Sequence, residues 1–558
     1  MIAPKLIKTR LAVCIALSTT LISFISSADV KDIQGTQLEA DSNIVINPEH
    51  LSLDKYAGFT FREKNIADLP QIIDQIWTGY LNSANGGVIT YNFPNGKGLT
   101  GLYNNPKYGF TAGDGLSGFS EAQKNAARDS IDLWDDLVAP TFVERGSRGA
   151  DIQFSNSYDP GQAYAYYPEY AFTNAQGWKF FGDVFVATPE INWTNAWLNF
   201  GGYGVTTLVH EIGHTLGLSH PGAYNGAGAT TYVSQAEYAQ DSNQYSLMSY
   251  WGDEETSNQP FGGGIVDWST GFYNYPHTPM VHDILAVQAA YGADTTTRSD
   301  DTVYGWNSTA GKAVYDFSQN LFPIVTIYDA GGNDTIDMSG ANASVFIDLN
   351  DGEYSSGAAS VPSEDEINRR RQLMRDAGFS TLGDVVSGQS AAWQALTTSA
   401  HEGYLAFETG VSGLGVTSHD NIAIAYGTTI ENAIGSSERD YLKGNEANNM
   451  LTGNGGDDIM NGYAGADTYN GGAGYDTFVF SNIESGDMIV DFVTGEDVIV
   501  LAETGVAFNF ISAASFSNTA GELRYANGML MGDVDGDGAA DLSINLHGAA
   551  LAASDLVL

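Results

Sequence analysis

The sequence predicts two domains in series, an α+β domain followed by an all-β parallel β-roll. Three observations carry this. Residues 66–293 mix amphipathic helical stretches with short alternating strands. From residue 435 a glycine recurs every nine positions, at 435, 444, 453, 462 and 471, each followed five residues later by an acid or an amide. At 558 residues the chain also exceeds what one hydrophobic core organises.

In chain order, Met1–Ala28 reads as a cleavable signal peptide. Lys5, Lys8 and Arg10 precede an apolar run from Leu11 to Ile25, and Ser26-Ser27-Ala28 offers a small-residue cleavage site. The run is short for a bilayer span, and no later run is long enough, so no stable membrane anchor is expected in the mature chain. Residues 29–65 are polar and read as a pro-segment and entry strap. Leu69–Leu81 reads as a helix, and Val88–Phe93 alternates as a strand that Pro94 stops. Ser120–Val138 opens with a capping pair, Ser120 and Gln123, and places Ala127, Ile131, Trp134 and Leu137 on one face. Phe142–Glu144, Ile152–Phe154 and Asp183–Ala187 read as strands, and Pro279–Tyr291 as the helix that closes the domain. His282 on that helix has no companion ligand at metal spacing and reads as structural.

The chemistry concentrates in Val209–Pro221, VHEIGHTLGLSHP, on a helix read over Val205–Leu218. His210 and His214 stand at i and i+4, so both imidazoles leave one face and can bind one zinc ion. Glu211 can reach a water beside the metal. Gly217 can end the helix in the left-handed region, letting the chain swing His220 back as a third ligand. Three protein ligands leave a position open, the pattern of a catalytic rather than a structural zinc. The one cysteine, Cys14, lies in the leader, so the mature chain has no disulfide and no thiol to cap the metal.

HExxHxxGxxH followed by Ser246-Leu247-Met248-Ser249-Tyr250 resembles the metzincin pattern, and the strings HEIGHTLGLSHPG and SLMSYW resemble the serralysin family of secreted zinc proteases. The resemblance implies that Met248 forms the floor of the zinc site. It implies that Tyr250 is an extra, switchable zinc ligand that also serves catalysis. It also implies that the sheet edge preceding the zinc helix binds substrate as an added strand; order along the chain assigns that edge to Gly182–Ala187.

The period of nine matches the GGxGxDxUx calcium repeat, best in Gly471–Val479. The ligands expected at its second, fourth and sixth positions are Ser436, Glu438 and Asp440; Asn445, Ala447 and Asn449; Asn454, Gly456 and Asp458; Tyr463, Gly465 and Asp467; and Gly472, Gly474 and Asp476. Leu442, Leu451, Met460, Tyr469 and Phe478 should point into the roll. Asn449 replaces an aspartate and loses a charge there. The family resemblance adds two calcium sites. One joins Arg298, Asp300 and Thr302 to Asp329, Gly331 and Asp334, with Asp300 at a family glycine. The other joins Thr429 and Glu431 to the first repeat. Residues 353–419 depart from the family and read as an insertion, with an arginine-rich helix over Ile367–Asp376 after Ser363 and Glu366. Asp533-Val534-Asp535-Gly536-Asp537-Gly538 resembles half of an EF-hand loop.

With 23 basic against 67 acidic residues the formal charge is −44, which argues against nucleic acid and anionic membranes as partners. The expectation is a secreted zinc-dependent endopeptidase, stabilised by several calcium ions and acting on protein or peptide substrates. The C-terminal Asp555-Leu556-Val557-Leu558 resembles the family's uncleaved signal for a one-step ABC exporter, a route that needs no N-terminal leader. The alternative is a calcium-dependent extracellular binding or matrix protein with a vestigial protease domain. An intact Glu211 argues against it.

Overall fold

The computed structural model describes residues 52–558 apart from 62, 83–86, 96–114, 147–149, 169–171, 174–178, 181, 226–230, 253–265, 268–271, 360–362 and 377–382. The leader read over 1–28, and the strap up to residue 51, lie outside the described residues.

The first domain is built on a five-stranded sheet in the order Thr141–Glu144, Val88–Asn92, Ile152–Ser157, Val184–Ala187, Ala163–Ala165. The first four strands run parallel, and Ala163–Ala165 is antiparallel to Val184–Ala187. Val184–Ala187 is therefore interior. The edge that sequence order assigned to Gly182–Ala187 is instead Ala163–Ala165, because a returning antiparallel strand covers it. Two helices pack on this sheet. Glu121–Asp135 opens with the expected capping box, Ser120 accepting from the Gln123 amide while the Gln123 side chain accepts from that of Ser120. Tyr203–Thr215 lies against it, and the Trp134 indole donates to the Val209 carbonyl at 3.1 Å. Trp134, Ile131, Val209 and Ile212 are fully buried between them, each contributing about 1.5–3 kcal/mol. The helix expected to reach Leu81 ends at Ile76, after which Trp77 turns extended.

The strap is bound tightly. Asp54 accepts from the His282 ring at 2.8 Å and from Gln240 at 2.8 Å, and also from the Tyr426 hydroxyl. His282 is thus the structural residue expected, on the helix Val281–Tyr291.

From Val303 the chain coils into a parallel roll. One sheet runs Val303–Gly305, Thr335–Asp337, Asn432–Ile434, Met450–Thr452, Thr468–Asn470 and Ser485–Ile489, and continues into a C-terminal hairpin. Facing it, Phe346–Asp348, Tyr441–Lys443, Ile459–Asn461, Thr477–Val479, Val498–Val500 and Leu556–Val557 form the second sheet. Consecutive repeats alternate between the sheets, so eighteen residues make one full turn. Leu442, Leu451, Met460, Tyr469 and Phe478 are at most 1% exposed and fill the space between the sheets, as the repeat requires. Two helices, Glu364–Asp376 and Gln389–Thr409, interrupt the roll. Arg369 and Arg370 pair with Glu366 on their own helix and line a groove of about 960 Å³ that also takes in Asp129 and Asp132 of the first domain.

Candidate metalloprotease site

The helix Tyr203–Thr215 carries His210 and His214 on one face. Gly217 follows at φ +102°, and a Cβ there would stand 2.4 Å from the Tyr80 carbonyl oxygen, so the turn needs glycine twice over. That turn returns His220. Its Nε2 lies 3.3 Å from His210 Nε2 and 3.2 Å from His214 Nε2. Each Nδ1 faces a backbone carbonyl: Leu247 for His210 at 3.0 Å, Leu218 for His214 at 2.7 Å and Tyr224 for His220 at 2.9 Å. Carbonyls only accept, so each Nδ1 carries the proton and three Nε2 lone pairs converge. Nitrogens held about 2.0–2.1 Å from one ion at tetrahedral angles stand about 3.3–3.4 Å apart, so the donor set fits zinc. Burial holds His210 down to about 4 and His220 to about 3, and His214 well below its usual value, so all three are neutral at neutral pH.

Glu211 is buried, and its Oε2 has no hydrogen-bond partner among the described residues. Burial pushes its carboxyl up to about 8. A buried carboxyl oxygen left unbonded next to His210 is an arrangement that folding alone disfavours. Met248 lies fully buried beneath, close enough to the helix that a Cβ on Gly213 would meet its Sδ at 2.7 Å. The turn around it is held by Asp283, which accepts from Ser246 Oγ at 2.6 Å, from the Leu247 amide at 2.7 Å and from the Met280 amide at 2.9 Å. Sequence reasoning missed Asp283, since a lone acid on a closing helix carries no motif. Tyr250 is 43% exposed, with its ring centroid 4.4 Å from that of His220 and 6.2 Å from that of His210.

Residues 177–262 match the model of the reprolysin-like metallopeptidases of family M12B, and residues 293–360 and 407–558 match the C-terminal domain of the M10 serralysins. Metallopeptidase AprA of Pseudomonas marginalis is 37% identical over 465 residues, covering 79% of this chain and 82% of its own. Serralysin G of Dickeya chrysanthemi is 32% identical over 527 residues, covering 88% and 92%. The chain belongs to the serralysin family. It is a zinc metalloendopeptidase, with a metzincin α+β domain followed by the family's roll. Serralysin of Proteus mirabilis, 32% identical over 395 residues, covers 67% of this chain and 63% of its own. The family's C-terminal model leaves residues 361–406 unmatched, inside the segment read as an insertion.

In the serralysin roll the sixth-position acids form ladders. Asp440, Asp458 and Asp476 accept through Oδ1 from the amides of Val345, Asp440 and Asp458, at 2.7–3.0 Å. On the other side Asp467 accepts from the Asn449 amide at 2.8 Å. The ladders run past the last repeat, with Asp487 on the Asp467 amide and Asp497 on that of Asp476, both at 3.0 Å. These two were missed because the nine-residue spacing slips after Asp476. Asp458 Oδ2 and Asp487 Oδ2 are buried without hydrogen-bond partners among the described residues. Burial pushes Asp458 up to about 8, Asp440 and Asp467 to about 7, and Asp476 and Asp487 to about 6. Crowded, under-bonded carboxylates of this kind fit calcium.

The five repeats are not alike. Asn454, Gly456, Tyr463, Gly465, Gly472 and Gly474 have φ between +68° and +150°, and the carbonyls of Glu438, Ala447, Asn454 and Gly456 all face a glycine of the neighbouring coil. Ser436, Glu438, Asn445 and Ala447 are not among the left-handed residues. At Asn449 the side-chain oxygen accepts from the Asn445 amide, which aims its Nδ2 at the Glu431 carbonyl and Asn445 Oδ1, at 2.9 and 3.0 Å. Thr429 is exposed nearby. Upstream, the paired segments do meet. Asp334 Oδ1 accepts from the Thr302 amide at 2.8 Å, Asp329 accepts from Gly331 at 2.8 Å, and the Asp334 amide donates to Glu431 at 2.7 Å. Asp334 Oδ2 is buried and unbonded among the described residues. The Arg298 guanidinium is spent on Asp136, Tyr304 and the Tyr328 carbonyl, leaving only its backbone for a cation. The Asp300 carbonyl accepts from Thr302 Oγ1 at 2.8 Å.

Proposed function

We propose that His210, His214 and His220 hold the zinc, and that Glu211 is the general base of peptide-bond hydrolysis. The observation that carries this is the convergence of three correctly protonated imidazoles beside an unbonded buried carboxylate. Zinc held there polarises the scissile carbonyl and acidifies water. Glu211 takes the proton from the attacking water and returns it to the leaving amine nitrogen. Tyr250, at the open rim, would donate its hydroxyl to the developing oxyanion. Met248 and the Asp283-held turn beneath it keep the His210 ring in place through the Leu247 carbonyl. A protein substrate lies along Ala163–Ala165, the edge of the sheet, where recognition through the backbone tolerates many sequences.

The enzyme works outside the cell, and calcium bound between the roll's coils stabilises it there. The ligands best supported are Asp458, Asp467, Asp476, Asp487 and Asp497, with backbone carbonyls that face between the coils, and the Asp329–Asp334 pair upstream. Asp555–Leu558 presents the export signal to an ABC-type transporter. Among the described residues no helix is long and apolar enough to cross a membrane.

The test is casein hydrolysis by protein refolded in calcium and zinc, beside Glu211→Ala. Activity is expected in the parent and a loss of about 10²–10⁴-fold in the variant with zinc retained. Two folded, zinc-loaded proteins of equal activity would remove Glu211 from the mechanism.

A further inference from the structure

Where the strap, the roll and the inserted helices meet, a cavity of about 10 Å³ is lined by Ser52, Phe346, Asp348, Glu353, Tyr354, Glu408 and Asp420. That is room for one water or one ion. Each element contributes an oxygen donor: Ser52 from the strap, Asp348 and Glu353 from the roll, Glu408 from the last turn of the helix Gln389–Thr409, and Asp420 from the segment that returns to the roll. Ser52 is 5% exposed, and its Oγ is buried without a hydrogen-bond partner among the described residues.

The charges do not balance. Lys443 pairs with Asp348 at 2.7 Å and Lys55 with Glu353 at 2.6 Å. His419 lies 2.7 Å from Glu408 and 3.4 Å from Asp420. Even with His419 protonated, four acids face three cations in a largely buried place, and an uncompensated charge there is costly. The pairings engage Glu353 through Oε1, Glu408 through Oε2 and Asp420 through Oδ2, one oxygen of each carboxylate. A water would satisfy Ser52 but not the excess charge. We propose that this cavity is a further calcium site, which clamps the inserted helices to the strap and to the body of the enzyme. The His419 ring stands within the same cluster but is held by Glu408 at 2.7 Å, and the carboxylates and hydroxyl that line the cavity suit calcium rather than a softer metal.

The site also touches the catalytic domain. Gln244, four residues before Met248, donates to Asp420 at 3.2 Å, and its carbonyl accepts from the Tyr354 hydroxyl at 2.8 Å.

Two measurements on the full chain decide the matter. In crystals grown with calcium, a long-wavelength anomalous map should show a peak about 2.3–2.6 Å from the Glu353, Glu408 and Asp420 carboxylates and Ser52 Oγ. Density of water height without anomalous signal would overturn the proposal. In solution, gel-filtered protein carrying Glu408→Gln with Asp420→Asn should hold one calcium fewer per chain than the parent, at equal zinc content and casein hydrolysis. Equal calcium in both folded proteins would also overturn it. Should the double variant fail to fold, the crystal of the parent decides.

Discussion

His210 and His220 are held in place from behind, and the consequences of disturbing that support differ from those of disturbing the metal. Asp283 never approaches the histidines, yet it fixes Ser246 and Leu247, and Leu247 fixes His210. Burial raises Asp283 from the usual carboxylate value to about 6. A carboxyl raised in this way stabilises the fold below its unfolded pKa, and that contribution is lost as pH rises through about 6. Between pH 4 and 6 the unfolding free energy of the parent should therefore fall relative to Asp283→Asn by about 1–3 kcal/mol. Parallel urea titrations at fixed calcium would show it, and equal slopes would contradict it. Tyr250 makes a separate case. Tyr250→Phe should lower kcat on a peptide substrate by about 10²-fold while KM stays nearly constant, because the hydroxyl acts on charge that develops after binding. A change confined to KM would make Tyr250 a substrate contact. At this scale the convergence of His210, His214 and His220 was legible because its spacing is local: one helix and one glycine turn bring the three rings together. Asp283 was not, because its partners lie 36 and 37 residues away and only the fold brings them together.

Among the elements, helices with caps read well and edges read poorly. Ser120 with Gln123 marks the start of its helix correctly, since a capping box is a local contract between neighbouring residues. The free edge of the sheet was assigned to the wrong strand. Ala163-Tyr164-Ala165 is too short to alternate visibly, and its antiparallel return is a tertiary fact. In the roll the period of nine located the strands and the inward residues, but it could not tell which repeats adopt the left-handed backbone. The left-handed conformations begin only at Asn454 among the repeats, and the amide of Asn449 bonds to oxygens a cation would otherwise take. The strained positions should be sensitive. Gly474 has φ +150°, and a Cβ there would stand 1.9 Å from the Gly456 carbonyl oxygen. Gly474→Ala should cost about 2–4 kcal/mol and raise the calcium midpoint for folding of the roll. Circular dichroism during a calcium titration measures both. By contrast, Asn449→Ala should leave the bound calcium count unchanged while lowering stability by about 1 kcal/mol, the value of its hydrogen bonds. A lost calcium would make Asn449 a ligand after all.

Across the whole molecule, the two metals should serve separable ends. A zinc-selective chelator should abolish casein hydrolysis and leave the strand signal of the roll intact. Calcium removal should lower the melting transition instead, since a site filled to a hundred times its Kd contributes about 2.7 kcal/mol. Simultaneous loss of both properties under either treatment would contradict that division. The order of the domains and the bulk of the acidic charge could be read directly. The manner in which the strap crosses both domains could not, because Asp54 finds His282, Gln240 and Tyr426 only in the assembled fold.

The ladders also impose a sequence of events in time. The sixth-position amide of each repeat is bonded by a carboxylate 18–21 residues further along the chain, so no coil is complete until its successor has arrived. The last arrivals are Leu556–Val557, which pair with Ile499 and Val500, and Asp555, which accepts from Thr494 at 2.6 Å. Once they have docked, Leu556 and Val557 close the second sheet at its end, although Val557 and Leu558 stay exposed.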